Sequence, residues 1–118
     1  MSGAEPLIAS VIPVLNESAY IGACLDSLIA QTLPSEQHMI LVLDGGSEDS
    51  TCDEVSKAIG RSKKVNGPTI ELHSNPKKHV AEARNLALTL LPDSIEYTVE
   101  MIGHSTVDPE HLEIRLEE

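Results

Sequence analysis

The chain contains no phenylalanine and no tryptophan, and only two tyrosines among its 118 residues. Ile, Leu, Val and Ala must therefore fill the interior, and aromatic stacking platforms are nearly absent. Positive charge is scarce as well. Eight basic residues stand against nineteen acidic ones, a formal net charge of −11, which disfavours general attraction to nucleic acid or to an anionic membrane surface. The excess reads as a solvated acidic surface, with adaptation to salt or a basic partner as the alternative. No apolar run approaches the ~18 residues needed to span a bilayer, and no basic start leads into an apolar targeting segment. The two cysteines, Cys24 and Cys52, lack C-x-x-C and zinc-finger spacing. They read as buried free thiols rather than as a disulfide or ligand pair. A reducing compartment is expected, and a soluble, cytoplasmic protein with it.

A length of 118 residues suits one domain, long enough to bury a core yet short for a complete α/β enzyme. Leu7 to Val14 is an apolar, β-branched run between Pro6 and Pro13 and predicts a strand buried on both faces. Asn16 caps a helix read from Glu17 to Gln31, with Tyr20/Ile21, Cys24/Leu25 and Leu28/Ile29 inward and Pro34 as its end. Met39–Leu43 predicts a second buried strand. Ser47 to Ile59 predicts the next helix, with Cys52, Val55 and Ile59 on one face and Gly60 as its stop. Arg61 to Pro68 reads as a basic, turn-rich connection. Thr69 to His73 then reads as a short strand closed by Asn75-Pro76. Val80 to Leu91 returns to helical period, with Val80, Ala83, Leu86/Ala87 and Leu90/Leu91 inward and Pro92 as terminator. Ile95 to Ile102 is the fourth expected strand. This alternation predicts a mainly parallel sheet with right-handed crossovers, a Rossmann-like α/β fold of three α/β/α layers.

Two segments at expected strand ends carry candidate chemistry, since open parallel sheets bind ligands at the carboxyl ends of their strands. After the first strand stand Pro13, Leu15, Asn16 and Glu17. After the second stand Asp44, Gly45, Gly46 and Ser47. Asp44 can accept a hydrogen bond from a nucleobase N–H, although Asp-Gly-Gly is also a good tight turn. Gly45-Gly46 lets backbone approach a ligand, and a helix starting near Ser47 would offer free N–H groups to a phosphate. For Asn16 the alternative is a helix cap and nothing more. Arg84, one of three arginines, lies in a segment otherwise rich in Ala and Leu; a guanidinium holds phosphate bidentately.

Ser10-Val11-Ile12-Pro13-Val14-Leu15-Asn16-Glu17, Leu25-Asp26-Ser27-Leu28-Ile29-Ala30-Gln31-Thr32, Asp44-Gly45-Gly46-Ser47 and Ala83-Arg84-Asn85 occur in that order. Together they resemble the family 2 glycosyltransferases of the GT-A fold, specifically the N-terminal, nucleotide-sugar-binding half of their domain. The resemblance runs from about Leu7 to Leu112. It implies that Pro13, Leu15, Asn16 and Glu17 line a nucleoside pocket, that Asp44 with Gly45 and Gly46 reads the base, and that Arg84 and Asn85 lie near the donor diphosphate. Gly45 and Gly103-His104-Ser105 are similar to a succinoglycan-biosynthesis branch. The implied function is transfer from a UDP- or GDP-sugar to a saccharide or lipid-linked acceptor. The implied cofactor is Mn²⁺ or Mg²⁺.

The chain departs from the family pattern at three places. Leu15 stands where an aromatic residue is usual. A glycine usual before the Ala-x-Ala-Arg-Asn segment is missing, with Lys78-His79 in its neighbourhood. Ile102-Gly103-His104 stands where an acidic Asp-x-Asp or Asp-x-His would hold the metal, leaving His104 as the one metal ligand carried over; one imidazole without an adjacent carboxylate is a poor Mg²⁺ site. His104, Asp108 and His111 form a conceivable substitute, but Asp108-Pro109 reads more simply as a helix start. The family's general base and acceptor site come from later sequence, so no catalytic residue is assigned. The expectation is a single domain over 1–118, whole or partial, that pairs with itself or with a missing C-terminal half. The rival is a non-catalytic nucleotide-binding or interaction module.

Overall fold

A computed structural model describes residues 8–31, 35–75, 86, 89–92, 94–95 and 97–100. Four strands, β1 (Ile8–Val14), β2 (His38–Asp44), β3 (Thr69–Ser74) and β4 (Tyr97–Glu100), form one sheet in the order β3-β2-β1-β4, parallel throughout. Helix α1 (Ile21–Ile29) links β1 to β2 by way of a single 3-10 turn at Ser35–Gln37, and α2 (Thr51–Lys64) links β2 to β3.

The topology obeys one rule. Each right-handed step from β1 to β2 to β3 moves the same way across the sheet and lays α1 and α2 on one face. The return from β3 to β4 passes back beyond β1, and the same rule puts its described residues on the other face. The core agrees. Ile8, Ile12, Val14, Ile40, Val42 and Ile70 pack with Ile21, Cys24, Leu25, Leu28, Val55 and Ala58. Val11, Leu41 and Leu43 point to the opposite side and meet Leu86, Leu90 and Leu91. The three-layer α/β/α expectation holds, and among the described residues no aromatic ring enters either cluster. The direction of travel reverses between β1 and β4, which makes their carboxyl ends the topological switch point where such sheets bind ligands.

Several boundaries differ from the sequence reading. Pro13 does not bound β1 but sits inside it, opposite Leu43. The Val14 carbonyl accepts from Gly45 N–H at 2.9 Å on the β2 side, so the neighbouring Pro13 nitrogen faces away from β2 and its lack of a hydrogen costs that ladder nothing. Asn16 does not cap α1. It takes a left-handed backbone with φ 53°, and α1 starts only after Tyr20, which makes no side-chain cap. The Glu17 carbonyl instead accepts the N–H groups of Tyr20 and Ile21 at 3.0 and 2.9 Å, closing a turn where four helical residues were expected. Tyr20, read as inward, is 58% exposed. The helix also ends at Ile29, before Pro34 can act.

Helix α2 begins at Thr51 rather than Ser47 and runs through Gly60 to Lys64. Arg61 to Lys64 are therefore helical, not part of a connection. Its buried face is Thr51, Val55, Ala58 and Ser62, with Cys52 only half-buried. Glycine weakens a helix but does not end one unless the chain turns left-handed there. The stop is built at Asn66, with φ 54°. Asn66 N–H bonds the Lys63 carbonyl at 3.3 Å and Gly67 N–H the Ser62 carbonyl at 2.7 Å, the paired bonds of a Schellman ending. A methyl at Gly67 would lie 2.5 Å from Ser62 Oγ, so glycine is required there. β3 begins at Thr69 as expected and runs one residue past His73, to Ser74, and Tyr97–Glu100 lies within the expected fourth strand. Of the helix read over 80–91, Leu86, Thr89 and Leu90 are helical; Val80, Ala83 and Ala87 lie outside the described residues, as does Ile102.

One polar pair is sealed in the first layer: Ser10 Oγ and His38 Nε2 lie 3.0 Å apart, both buried. Burial lowers the His38 pKa to about 4, so the folded protein holds the ring neutral while the unfolded chain protonates it below about pH 6.5. The unfolded state then binds the extra proton, and stability falls as pH drops from about 6.5 towards 4, by at most about 3 kcal/mol. Urea unfolding between pH 7 and 5 should show this slope, and His38→Gln should flatten it. Gly60 is exposed with nothing within 4 Å of an added methyl. Gly60→Ala should therefore raise stability by about 0.5–1 kcal/mol in the same assay.

Candidate functional site

The register Val14↔Asp44 ends β1 and β2 level with each other, so their outgoing loops leave the sheet side by side. They are bonded to each other. Asn16 N–H donates to Ser47 Oγ at 2.9 Å, and Asn16 Oδ1 accepts Glu48 N–H at 2.8 Å. Glu17 N–H donates to Thr51 Oγ1 at 2.8 Å, and Ser18 N–H to Asp49 Oδ2 at 3.3 Å. The left-handed turn at Asn16 is what aims both its amide oxygen and its N–H across the gap, and Asn is among the few non-glycine residues that tolerate that conformation.

Asp44 closes the second loop on itself. Its Oδ2 accepts Gly46 N–H at 3.1 Å and Ser47 N–H at 3.1 Å, and its Oδ1 accepts the Ser47 hydroxyl at 2.5 Å. Gly46 permits this turn with φ 97°, which L side chains rarely adopt. The turn chemistry recognised in Asp-Gly-Gly is thus present, and the Ser47 N–H that was expected to meet a phosphate is taken by Asp44. The Ser47 N–H also reaches Oδ1 at 3.3 Å, and the Cys52 thiol adds a further hydrogen bond to this carboxylate. Its main-chain carbonyl accepts Asn75 N–H at 2.7 Å, which brings the end of β3 to the same edge.

The titratable groups record the same geometry. Asp49 is lowered to about 2, chiefly by the Thr51 hydroxyl that donates to it, with the Thr51 and Ser18 N–H groups adding. It stays ionised throughout the neutral range. The Cys52 thiol is pushed up by burial and then by the Asp44 charge beside it. Burial, with the charge of Glu17, raises Cys24 to about 11. Neither thiol forms a disulfide, and neither is an activated nucleophile.

Of the residues singled out from sequence, Pro13, Leu15, Asn16, Glu17, Asp44, Gly45 and Gly46 come together at one edge. Leu15 is 46% exposed there. Arg84, Asn85 and His104 lie outside the described residues. Among the described residues, no three His, Cys, Asp or Glu side chains gather to hold a metal, and no helix is long and apolar enough to cross a membrane. Sequence reasoning missed Ser47, Thr51, Ser18 and Asp49 as parts of the frame. Ser47, three residues after Asp44, had a local signal in the side-chain-closed turn; the bonds between the loops had none.

The clasp gives a test. Asn16→Gly loses the 2.8 Å bond to Glu48 but keeps the left-handed turn, whereas Asn16→Ala loses both. Denaturant unfolding should rank them wild type, Gly, Ala, with about 1 kcal/mol between the two variants.

Comparison with known proteins places this edge in context. The Glycosyl transferase family 2 model matches residues 10–118. A dolichyl N-acetyl-alpha-D-glucosaminyl phosphate 3-beta-D-2,3-diacetamido-2,3-dideoxy-beta-D-glucuronosyltransferase of Methanococcus voltae is 36% identical over 78 residues, covering 66% of this chain and 23% of that protein. The succinoglycan biosynthesis protein ExoA of Rhizobium meliloti is 29% identical over 108 residues, 92% of this chain and 31% of that protein. Among solved structures, residues 1–349 of S. aureus TarS superpose with a TM-score of 0.78 at 21% identity, covering 94% of this chain and 31% of that one, and the same fragment is known with UDP and with UDP-GlcNAc. The chain spans about a third or less of the length of the curated relatives it matches.

Proposed function

Because the chain belongs to glycosyl transferase family 2, we propose that it forms the donor-binding part of an enzyme that moves a sugar from a nucleoside diphosphate to a saccharide or lipid-linked acceptor. The observation that carries this reading is the clasped edge: two loops at level strand ends, next to the switch point, with Asp44 fixed between them. In the proposed complex, Pro13, Leu15, Asn16 and Glu17 line the nucleoside side. Asp44 accepts an N–H of the base, and Gly45 and Gly46 let backbone approach it. Arg84 and Asn85 serve the diphosphate, where a guanidinium offsets negative charge that this acidic chain otherwise repels. The UDP and UDP-GlcNAc complexes of TarS support a uridine donor, and a GDP-sugar remains within the same proposal.

Family membership also implies Mn²⁺ or Mg²⁺, which when bound would neutralise diphosphate charge. Among the described residues, no three His, Cys, Asp or Glu side chains gather as its donor set. His104 is the ligand proposed for it from the sequence. Two cysteines kept as thiols support a reducing, cytoplasmic setting or the cytoplasmic face of a membrane.

A second reading, a nucleotide-binding or interaction module without transfer, rests on Ile102 in place of an acid. Ile102→Asp separates the two: new Mn²⁺-dependent nucleotide binding would mark an altered metal site.

Thermal unfolding of the purified protein with UDP, GDP, ADP or CMP, each with and without Mn²⁺, tests the main reading. A selective nucleoside diphosphate should stabilise by about 2.7 kcal/mol at ~100 times its dissociation constant. Asp44→Ala and Arg84→Ala should each weaken that binding. Stabilisation by no nucleotide, or binding indifferent to both substitutions, would overturn it.

A further inference from the structure

Two hydroxyls stand between the β1–α1 loop and carboxylates of the β2–α2 loop, each accepting a backbone N–H and donating onward. Thr51 takes Glu17 N–H and donates to Asp49. Ser47 takes Asn16 N–H at 2.9 Å and donates to Asp44 Oδ1 at 2.5 Å. The first relay ends on an exposed carboxylate. The second ends on the residue proposed to read the base.

We propose that Ser47 is a positioning residue that sets the plane of the Asp44 carboxylate for nucleobase recognition, an inference that rests on the donor-binding reading above. An aspartate carboxyl turns in a broad, roughly two-fold torsional well, so its direction must be imposed from outside. Here Ser47 holds Oδ1 by its hydroxyl, and its own N–H with that of Gly46 holds Oδ2. The hydroxyl is itself held, because Asn16 N–H occupies its acceptor side. One chain of bonds thus runs from the β1 loop through Ser47 to Asp44, and any ligand contact with Asp44 inherits the geometry of both loops. A group fixed before the ligand arrives binds it without paying for ordering at that moment. Removing the hydroxyl leaves the Asn16 N–H without this acceptor and takes from Asp44 Oδ1 its 2.5 Å donor, leaving the longer 3.3 Å contact of the Ser47 N–H.

The test uses wild type, Ser47→Ala, Ser47→Thr, Asp44→Asn and the Asp44→Asn/Ser47→Ala double variant, titrated with UDP and monitored by amide hydrogen exchange. Ser47→Ala should weaken UDP binding about tenfold, the loss of one hydrogen bond to a charged group. Ser47→Thr keeps the hydroxyl and should stay within about threefold of wild type, guarding against a misfolded alanine variant. In the Asp44→Asn background, Ser47→Ala should add little, because a residue acting through another shows non-additive effects. Exchange at the Asn16 amide should quicken in Ser47→Ala. An equal loss in both backgrounds, or unchanged UDP affinity in folded Ser47→Ala, overturns the proposal. Failure of wild type to bind any nucleoside diphosphate is a different result: it removes the donor-binding reading, and this inference with it.

Discussion

Everything at the carboxyl edge depends on the register between β1 and β2. Parallel pairing that runs from Ile8↔His38 to Val14↔Asp44 finishes both strands at one level. A slip of one residue would turn Asp44 to the opposite face of the sheet and separate Asn16 from Ser47. The register is itself secured by burial, since all but the last residue of β2 and all but one of β1 are buried. The two strands also fill both core clusters. The apolar layers thus act at a distance on the polar loops: they choose the height at which the chain leaves the sheet, and the clasp forms from the groups that meet there.

The layers were legible in the sequence because each strand and helix carries its own periodicity. Met39 to Leu43 is continuously apolar and lies in the centre of the sheet, and the helical spacing of Ile21, Cys24, Leu25 and Leu28 survives unchanged. The ends were less legible. Gly60 looks like a stop but lies mid-helix, whereas the true stop is an asparagine turned left-handed, Asn66, with Gly67 after it. Asn16 misled in the same way: it has the side chain of a cap and the backbone of a left-handed turn. Those conformations are set by partners elsewhere in the fold, and no local pattern reports them. Asp44 and its glycines announced themselves through turn chemistry, while Ser47, Thr51 and Asp49 matter through bonds across the gap.

The charge of the chain acquires a structural meaning at this edge. Asp44 and Asp49 are turned towards loop N–H groups and hydroxyls, which offset their charge. Two of the described cations are engaged elsewhere, Arg61 with Asp26 at 2.9 Å between α1 and α2, and Lys57 with Glu54 at 3.0 Å along α2. Such exposed pairs contribute little, ~0–1 kcal/mol each. The acids that look most conspicuous in the sequence are therefore mostly fastening groups. Their value lies in the direction they impose on backbone.

The clasp has a consequence for the order in which the molecule is made. Its bonds join residues 31 to 34 positions apart. Asn16, Glu17 and Ser18 accordingly wait, during synthesis, until β2 and the first turn of α2 have emerged and docked. Contacts of such separation are reached late, after local helices have formed, because the entropy of closing the intervening loop must be met first. The first loop of the site is thus written before the segment that fixes it, and takes shape only once that segment has docked.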